Sequence, residues 1–254
     1  MVNYYLCGLA IFSCKAAKKR LLMLLTTEPL KFDMTAAHLA LACPLCAFSP
    51  SVFFFQDDKN YRQRYQHCPQ CDVVFVDPAC RLDAAAEKAR YDKHNNDNST
   101  PYVQFLSRLA LPVLAQLSSP AVGLDFGSGR SQAMAEIFRQ AGHRCDCYDI
   151  FFYPKTTLLP QAYDFMIASE VIEHLYSPKA VIEQWLTLLK PGGLLGIMTG
   201  IRPAAATDFA DWWYKNDPTH VLLLSDKTFA YLQRRYALTP LFAEKGVFVF
   251  RLPQ

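Results

Sequence analysis

No apolar run in this 254-residue chain approaches the roughly 18 to 20 residues needed to cross a membrane, so nothing in the sequence calls for a spanning helix. Charge of one sign is also scarce. The net charge is +3 with 19% charged residues, too little by itself to argue for a nucleic-acid partner. A secretory leader lacks its parts as well: "KAAKKRLLMLL" sets a basic cluster before an apolar run, but the run is shorter than the roughly 7 to 15 residues of a signal core. No small-residue cleavage site follows it. These absences lead us to expect a cytoplasmic protein. What is plentiful is apolar: 52% of residues are hydrophobic, enough for one full-sized domain plus a small module.

Residues 1–33 read differently from the rest, and Met34 opens "MTAAHLALACPLC", a sensible natural start. We expect residues 1–33 to be a dispensable extension. A basic amphipathic helix on a membrane surface and an ordinary packed helix are the other two readings. Lys15 to Arg20 and Arg234-Arg235 are most simply solvated faces.

Four of the nine cysteines sit in two pairs, Cys43-Pro-Leu-Cys46 and Cys68-Pro-Gln-Cys71. This is the spacing of a four-cysteine zinc ribbon: each short knuckle presents two thiolates to one side, and two knuckles complete a tetrahedron. Between them "FFFQDDKNYRQRYQHC" reads as strand, polar turn and strand. So small a core could not hold itself folded, whereas zinc supplies on the order of 10 kcal/mol. Residues 34–80 are therefore expected to form a zinc-ribbon-like module with a structural Zn2+ on Cys43, Cys46, Cys68 and Cys71. Disulfides are the alternative, without a signal peptide to support them. His67 can compete as a ligand or stay solvated. Cys7, Cys14, Cys80, Cys145 and Cys147 lack such spacing and read as core or incidental thiols. A helical connecting segment, 81–119, follows. Leu82 to Arg90 favours helix, "YDKHNNDNSTP" breaks it, and Val103 to Leu117 resumes helical spacing. His94, in the break, can reach a cleft or simply be exposed.

The decisive stretch is "VGLDFGSGRS" (122–131). A short buried-strand pattern runs into a turn at Gly127-Ser128-Gly129, a helix from Gln132 to Gln140, and a second strand from Arg144 to Tyr148 that ends at Asp149. In such a strand–helix–strand unit an acid about twenty residues past the glycines suits a ribose diol, and the glycines let backbone amides approach the ligand. Gln132 breaks the dinucleotide pattern G-x-G-x-x-G. No Gly-Lys-Ser or Gly-Lys-Thr makes a phosphate loop, and the kinase-like "DFG" has no catalytic loop beside it. Asp125 at the strand end favours a cationic ligand. Together these features resemble motif I of the class I S-adenosylmethionine-dependent methyltransferases. "YDFMIASEVIEHL" (163–175) resembles that family's fourth strand and following turn. "LLKPGGLLGIMT" (188–199) resembles its helix end, Pro-Gly-Gly turn and fifth strand. "DPTHVLLLSDKTFAYL" (217–232) is similar to a segment of its small-molecule subset, with "TPLFAEKGVFVFRL" as the last strands. The whole chain, zinc knuckles included, also resembles bacterial methyltransferases of unassigned substrate.

The resemblance implies an α/β, Rossmann-like fold over residues 120–254, a mostly parallel twisted sheet with helices on both faces, preceded by the zinc-ribbon-like module. It departs from the family at Ser131, where a third glycine is frequent, and after Asp149, where thirteen residues leave the usual third strand shortened or missing. It implies S-adenosylmethionine bound by Asp125, Gly127, Ser128, Gly129, Asp149, Ile150, Ser169 and Glu170, with Phe151 a further candidate for the adenine. His174 is either near the methyl donor or a brace for the next helix. His220, in the aromatic loop "WWYKNDPTHV", is either a base or acceptor-orienting group, or a lock for its loop together with Asp217. Trp212, Trp213 and Tyr214 are either an apolar wall near the sulfonium or core. The expected function is methyl transfer to a small-molecule acceptor at O, N or C. An RNA or protein methyltransferase using the zinc module for recognition is the second reading, and a non-catalytic scaffold the third.

Overall fold

The computed structural model describes residues 41–93, 98–118 and 120–254. The extension 1–33, Met34, Cys7, Cys14, Lys15 to Arg20 and His94 lie outside the described residues. Among those described, no helix is long and apolar enough to cross a membrane.

The chain first builds an antiparallel meander from β1 (Val52–Gln56), β2 (Arg64–His67) and β3 (Val74–Val76). The first cysteine pair precedes β1, and the second lies in the turn between β2 and β3. Helix α1 (Ala84–Tyr91) starts where the Asp83 carboxylate accepts the Ala86 N–H at 2.8 Å. Helix α2 (Thr100–Leu114) buries Leu106, Leu109, Ala110 and Val113, an i, i+3, i+4, i+7 stripe.

The main sheet follows. Strand β4 (Val122–Phe126) lies between β5 (Arg144–Tyr148) and β6 (Tyr163–Ser169), with helix α3 (Ala133–Gln140) crossing between β4 and β5. Helix α4 (Pro178–Leu188) leads to β7 (Leu189–Met198), parallel to β6. Helices α5 (Ala206–Asp211) and α6 (Asp226–Arg235) flank β8 (Leu222–Leu223), and the hairpin of β9 (Thr239–Glu244) and β10 (Val247–Arg251) closes the sheet antiparallel to β7. The order is β5-β4-β6-β7-β10-β9. Its inner parallel strands β4, β6 and β7 are largely buried on both faces, as a doubly covered sheet requires, whereas the edge strand β5 exposes Arg144. Trp185 of α4 and Phe229 of α6 pack on one face with Leu124, Phe126 and Met166. Leu109 of α2 and Phe138 of α3 pack on the other with Phe165 and Ile167. This is the mostly parallel α/β architecture with helices on both faces.

Three details complete the architecture, the first of them in line with the shortened segment after Asp149. Residues 150–162 hold no strand; they fold back in an Asp149–Tyr153 bridge and a 3-10 turn. The Pro-Gly-Gly sequence is a kink within β7, with Gly192 at φ +71°, and does not separate helix from strand. Finally, β8, from the C-terminal half, is the fourth strand of the small sheet, pairing Val74 with Leu223 and Phe75 with Leu222. Arg202 adds a clamp between the halves, its guanidinium 2.7 Å from the Asp72 carbonyl and 2.8 Å from its carboxylate.

Close packing around β4 is tightest at Gly123, where an added Cβ would sit 2.1 Å from the Phe165 ring. Gly123→Ala should cost about 1–3 kcal/mol in urea unfolding, and Phe165→Leu in the same chain should recover part of that loss.

Candidate functional site

The turn after β4 is built from two residues in left-handed backbone conformations, Gly127 at φ +75° and Gly129 at φ +65°. Gly127 donates its N–H to the Tyr148 carbonyl at 2.7 Å, and Gly129 donates to Asp149 Oδ2 at 3.0 Å. Asp149 Oδ1 accepts the N–H groups of Phe151 (2.8 Å) and Phe152 (3.1 Å). One carboxylate thus ties the glycine turn to the fold-back after β5 and turns two aromatic residues toward the same opening.

That opening is a cavity of about 270 Å³ at the carboxyl ends of the parallel strands, where open α/β sheets bind ligands. Of the residues singled out in the sequence, Asp125, Gly127, Ser128, Gly129, Asp149, Ser169, Glu170, His174 and His220 all line it. Phe151 does too. Ile150 does not, and the rings of Phe151 and Phe152 take that wall. Sequence reasoning missed Tyr91, Tyr102, Phe105 and Arg130. Tyr102 and Phe105 are one turn apart at the start of α2, just after the polar break; that spacing was the available signal.

The polar groups in the cavity fit a ligand better than they fit each other. Ser169 Oγ is buried and has no hydrogen-bond partner. Asp125 is 3% exposed, and its carboxylate makes no hydrogen bond among the described residues. Burial, then the charge of Asp149, pushes Asp125 up to about 7. Glu170 sits at φ +53°, a backbone conformation unusual for its type, with its N–H bonded to the Met198 carbonyl at 2.8 Å. Burial pushes its carboxyl up to about 7. Burial and the charge of Glu170 raise Glu173 to about 8. Burial, reinforced by His220, holds His174 well below the ordinary histidine value.

Loop 217–221 is locked locally. The Asp217 carboxylate accepts the Thr219 N–H and hydroxyl and the Arg90 guanidinium. His220 donates Nδ1–H to the Tyr214 carbonyl at 2.7 Å while its ring lines the cavity. Trp212, Trp213 and Tyr214 do not line this cavity; they line a neighbouring one of about 360 Å³, which shares Phe105 and Glu170 with the first.

The cysteines form a second cluster. Cys43 Sγ is 3.5 Å from Cys71 Sγ and Cys46 Sγ is 3.4 Å from Cys68 Sγ, with all four sulfurs within 4.8 Å of one another. Tetrahedral thiolates about 2.3 Å from one zinc ion would be about 3.8 Å apart. The two knuckles repeat the same turn. Ala47 N bonds to the Cys43 carbonyl and Asp72 N to the Cys68 carbonyl, both at 2.9 Å, and Ala47 and Asp72 both have positive φ. His67 bonds to Asp72 at 2.8 Å, away from the sulfurs. The hydrogen bond from Cys71 holds Cys43 down to about 6, whereas burial pushes Cys46 up to about 12.

A family profile described as a methyltransferase domain matches residues 91–241, more than half of the chain. The chain belongs to the class I S-adenosylmethionine-dependent methyltransferases. Similar solved structures include the Burkholderia thailandensis 1,6-didemethyltoxoflavin N1-methyltransferase with S-adenosylhomocysteine, 18% identical over 74% of this chain and 99% of that one, with a TM-score of 0.49. An O-methyltransferase family protein from the same organism is 18% identical over 68% of this chain and 60% of that one, with a TM-score of 0.44. No curated protein matches the sequence significantly.

Two predictions follow from the geometry of this methyltransferase cleft. Asp149→Ala should weaken S-adenosylhomocysteine binding by roughly 1–3 kcal/mol in calorimetry, through loss of buried polar partners. Asp125→Asn should stabilise the ligand-free protein. The raised carboxyl binds a proton more tightly folded than unfolded, so ionising it costs stability as pH rises from its unfolded value near 3.8 to about 7. In denaturant unfolding the variant's advantage should be absent below pH 4, grow to pH 7 and then level off.

Proposed function

We propose that this methyltransferase acts on a small-molecule acceptor, which enters the aromatic cavity beside the donor cavity. The observation that carries this reading is the shared wall: Phe105 and Glu170 belong to both spaces, and Trp212, Trp213 and Tyr214 enclose the second. A space of about 360 Å³ is within the range of small-molecule pockets.

When bound, S-adenosylmethionine supplies a methyl group on a sulfonium, and displacement is in line. The protein's task is to align the reactants and exclude water. In our reading Asp149 accepts the ribose hydroxyls and Phe151 and Phe152 flank the adenine. Asp125, Ser169, Glu170 and the turn from Gly127 to Gly129, with Ser128, complete the donor site. Ile150 stays a candidate through its backbone alone. His220 and His174 orient the acceptor, or receive its proton where the acceptor atom carries one. The aliphatic and aromatic residues at the start of α2 close the cleft against water.

The four cysteines, in the same reading, hold a structural Zn2+. Their sulfurs are already gathered and leave no open ligand position. The seven cysteines described are unpaired with one another, which suits a reducing compartment such as the cytoplasm. Arg202 and Ser225 bind Asp72 of the second knuckle from the main sheet's side; this supports an architectural role for the module over one gripping RNA or protein.

Incubation with label-carrying donor and a fractionated cell extract tests the acceptor class. Label should enter the small-molecule fraction. Label confined to RNA or protein would overturn the reading.

A further inference from the structure

Between the two cavities lies a cluster centred on Glu173, a residue that lines neither of them. Glu173 is 0% exposed, in the 3-10 turn Ile172–His174 that follows β6. Its carboxylate accepts the Thr199 hydroxyl at 2.9 Å, and the Tyr214 hydroxyl is within hydrogen-bond reach of both Glu173 and Glu170. Tyrosine has one proton to give, so it cannot serve both carboxylates. Among the described residues no Lys or Arg forms an ion pair with either acid. The nearest opposing partner is His174, whose Nε2 is 4.0 Å from Glu173 Oε1. Negative charge on this buried and half-buried pair of acids is costly, with no Lys or Arg ion pair and only the longer-range attraction of Arg108 for Glu170 to offset it.

Two histidines face the same spot. One ligand atom each from Glu173, His174 and His220 lies within 4.8 Å of the others, and all three residues are buried. The rings of His174 and His220 meet edge to face, 4.7 Å between centroids. Nδ1 of His174 is 3.0 Å from the Thr219 carbonyl, and Nδ1 of His220 is 2.7 Å from the Tyr214 carbonyl. A carbonyl only accepts, so both Nδ1 atoms carry hydrogen, and in the neutral ring the lone pair is on Nε2. Backbone carbonyls that fix the tautomer and orientation of imidazoles are the outer support that metal-ligating histidines require.

We propose that Glu173, His174 and His220 hold a divalent transition-metal ion, set in the wall between the donor cavity and the aromatic cavity. The placement rests on the lining: the two imidazoles belong to the donor cavity, while Thr199 and Tyr214, which contact Glu173, belong to the aromatic one. Two imidazoles and one carboxylate suit zinc or iron better than magnesium or calcium. Ligands about 2.1 Å from one ion stand roughly 3–4 Å apart, so atoms now within 4.8 Å of one another need to contract by no more than about 1–2 Å. Three protein ligands leave a coordination position for an oxygen from outside. Under the methyltransferase reading, on which this role depends, that oxygen belongs to the acceptor, and with their Nε2 lone pairs on the ion the two imidazoles orient the acceptor and take up no proton. The acceptor class is then a molecule with a hydroxyl, enol or carboxylate oxygen able to bind a metal, and Glu170 is the next carboxylate at hand.

Cobalt provides the test. The full chain, stripped of metal under reducing conditions, is titrated with Co2+ and followed by metal analysis and visible absorption. One cobalt per chain should bind without a sulfur-to-metal charge-transfer band, apart from any taken up by the cysteines. That ion should be lost in the His174→Gln, His220→Gln double variant while the sulfur band of the cysteine cluster persists as the sign of a folded protein. Cobalt bound only through sulfur in the unaltered chain, or nitrogen- and oxygen-bound cobalt that survives both substitutions, overturns the site. Should the double variant lose its sulfur band, X-ray absorption of cobalt in the unaltered chain decides: an ion with imidazole scattering supports the site, and an all-sulfur shell overturns it. Calorimetry with S-adenosylhomocysteine on the same metal-free protein separates the two ideas. If the donor product binds but the cobalt titration finds no nitrogen- and oxygen-bound ion, only the metal site falls; absence of donor-product binding strikes the methyltransferase reading.

Discussion

The Asp149 carboxylate is the constraint on which the shape of the cleft depends. Its two oxygens receive three backbone N–H groups, one from the glycine turn and two from the chain that folds back after β5. The turn would otherwise present unsatisfied amides at the end of a buried strand, which a fold avoids. Each oxygen keeps capacity for further hydrogen bonds, so the group that shapes the empty cleft is also available to a ligand. Structural and binding roles are not alternatives here; the same atoms serve both.

A second constraint is electrostatic. Asp125 and the half-buried Glu170 line one opening, Glu173 is buried behind it, and each is pushed toward its neutral form. Buried acids of this kind mark sites where a cation, a proton or a hydrogen-bond donor arrives from outside. The left-handed conformation of Glu170 belongs to the same pattern, because the neighbouring β7 holds its amide through Met198. A sulfonium and a metal ion would each reduce the imbalance from a different side of the cleft.

Much of this was legible in the sequence because the signals are local. The strand before Gly127, the helix after it and the strand ending at Asp149 follow from apolar periodicity, glycine placement and one acid. The paired cysteines are equally local, and their sulfurs converge as the spacing requires. What stayed hidden is tertiary. The one-turn spacing of Tyr102 and Phe105 puts them on one helix face, but that this face and Tyr91 line the cleft depends on how α1 and α2 pack against the strand ends. Ile150 stands outside the cavity lining while Phe151 and Phe152 enter it, because a tight fold-back follows Asp149. Glu173 read as part of a turn motif; its burial beside two imidazoles arises only when residues 172–174 and 214–220 are packed together.

The pairing of β3 with β8 has a consequence for synthesis of the chain. Val74 must find Leu223, a separation of 149 residues (223 − 74). As the chain leaves the ribosome, the cysteine knuckles emerge early, yet the edge of β3 has no hydrogen-bond partner until most of the polypeptide has been made. Exposed strand edges invite association with other chains. The nascent protein therefore carries an open edge through most of translation, and the segment that finally covers it begins two residues after His220.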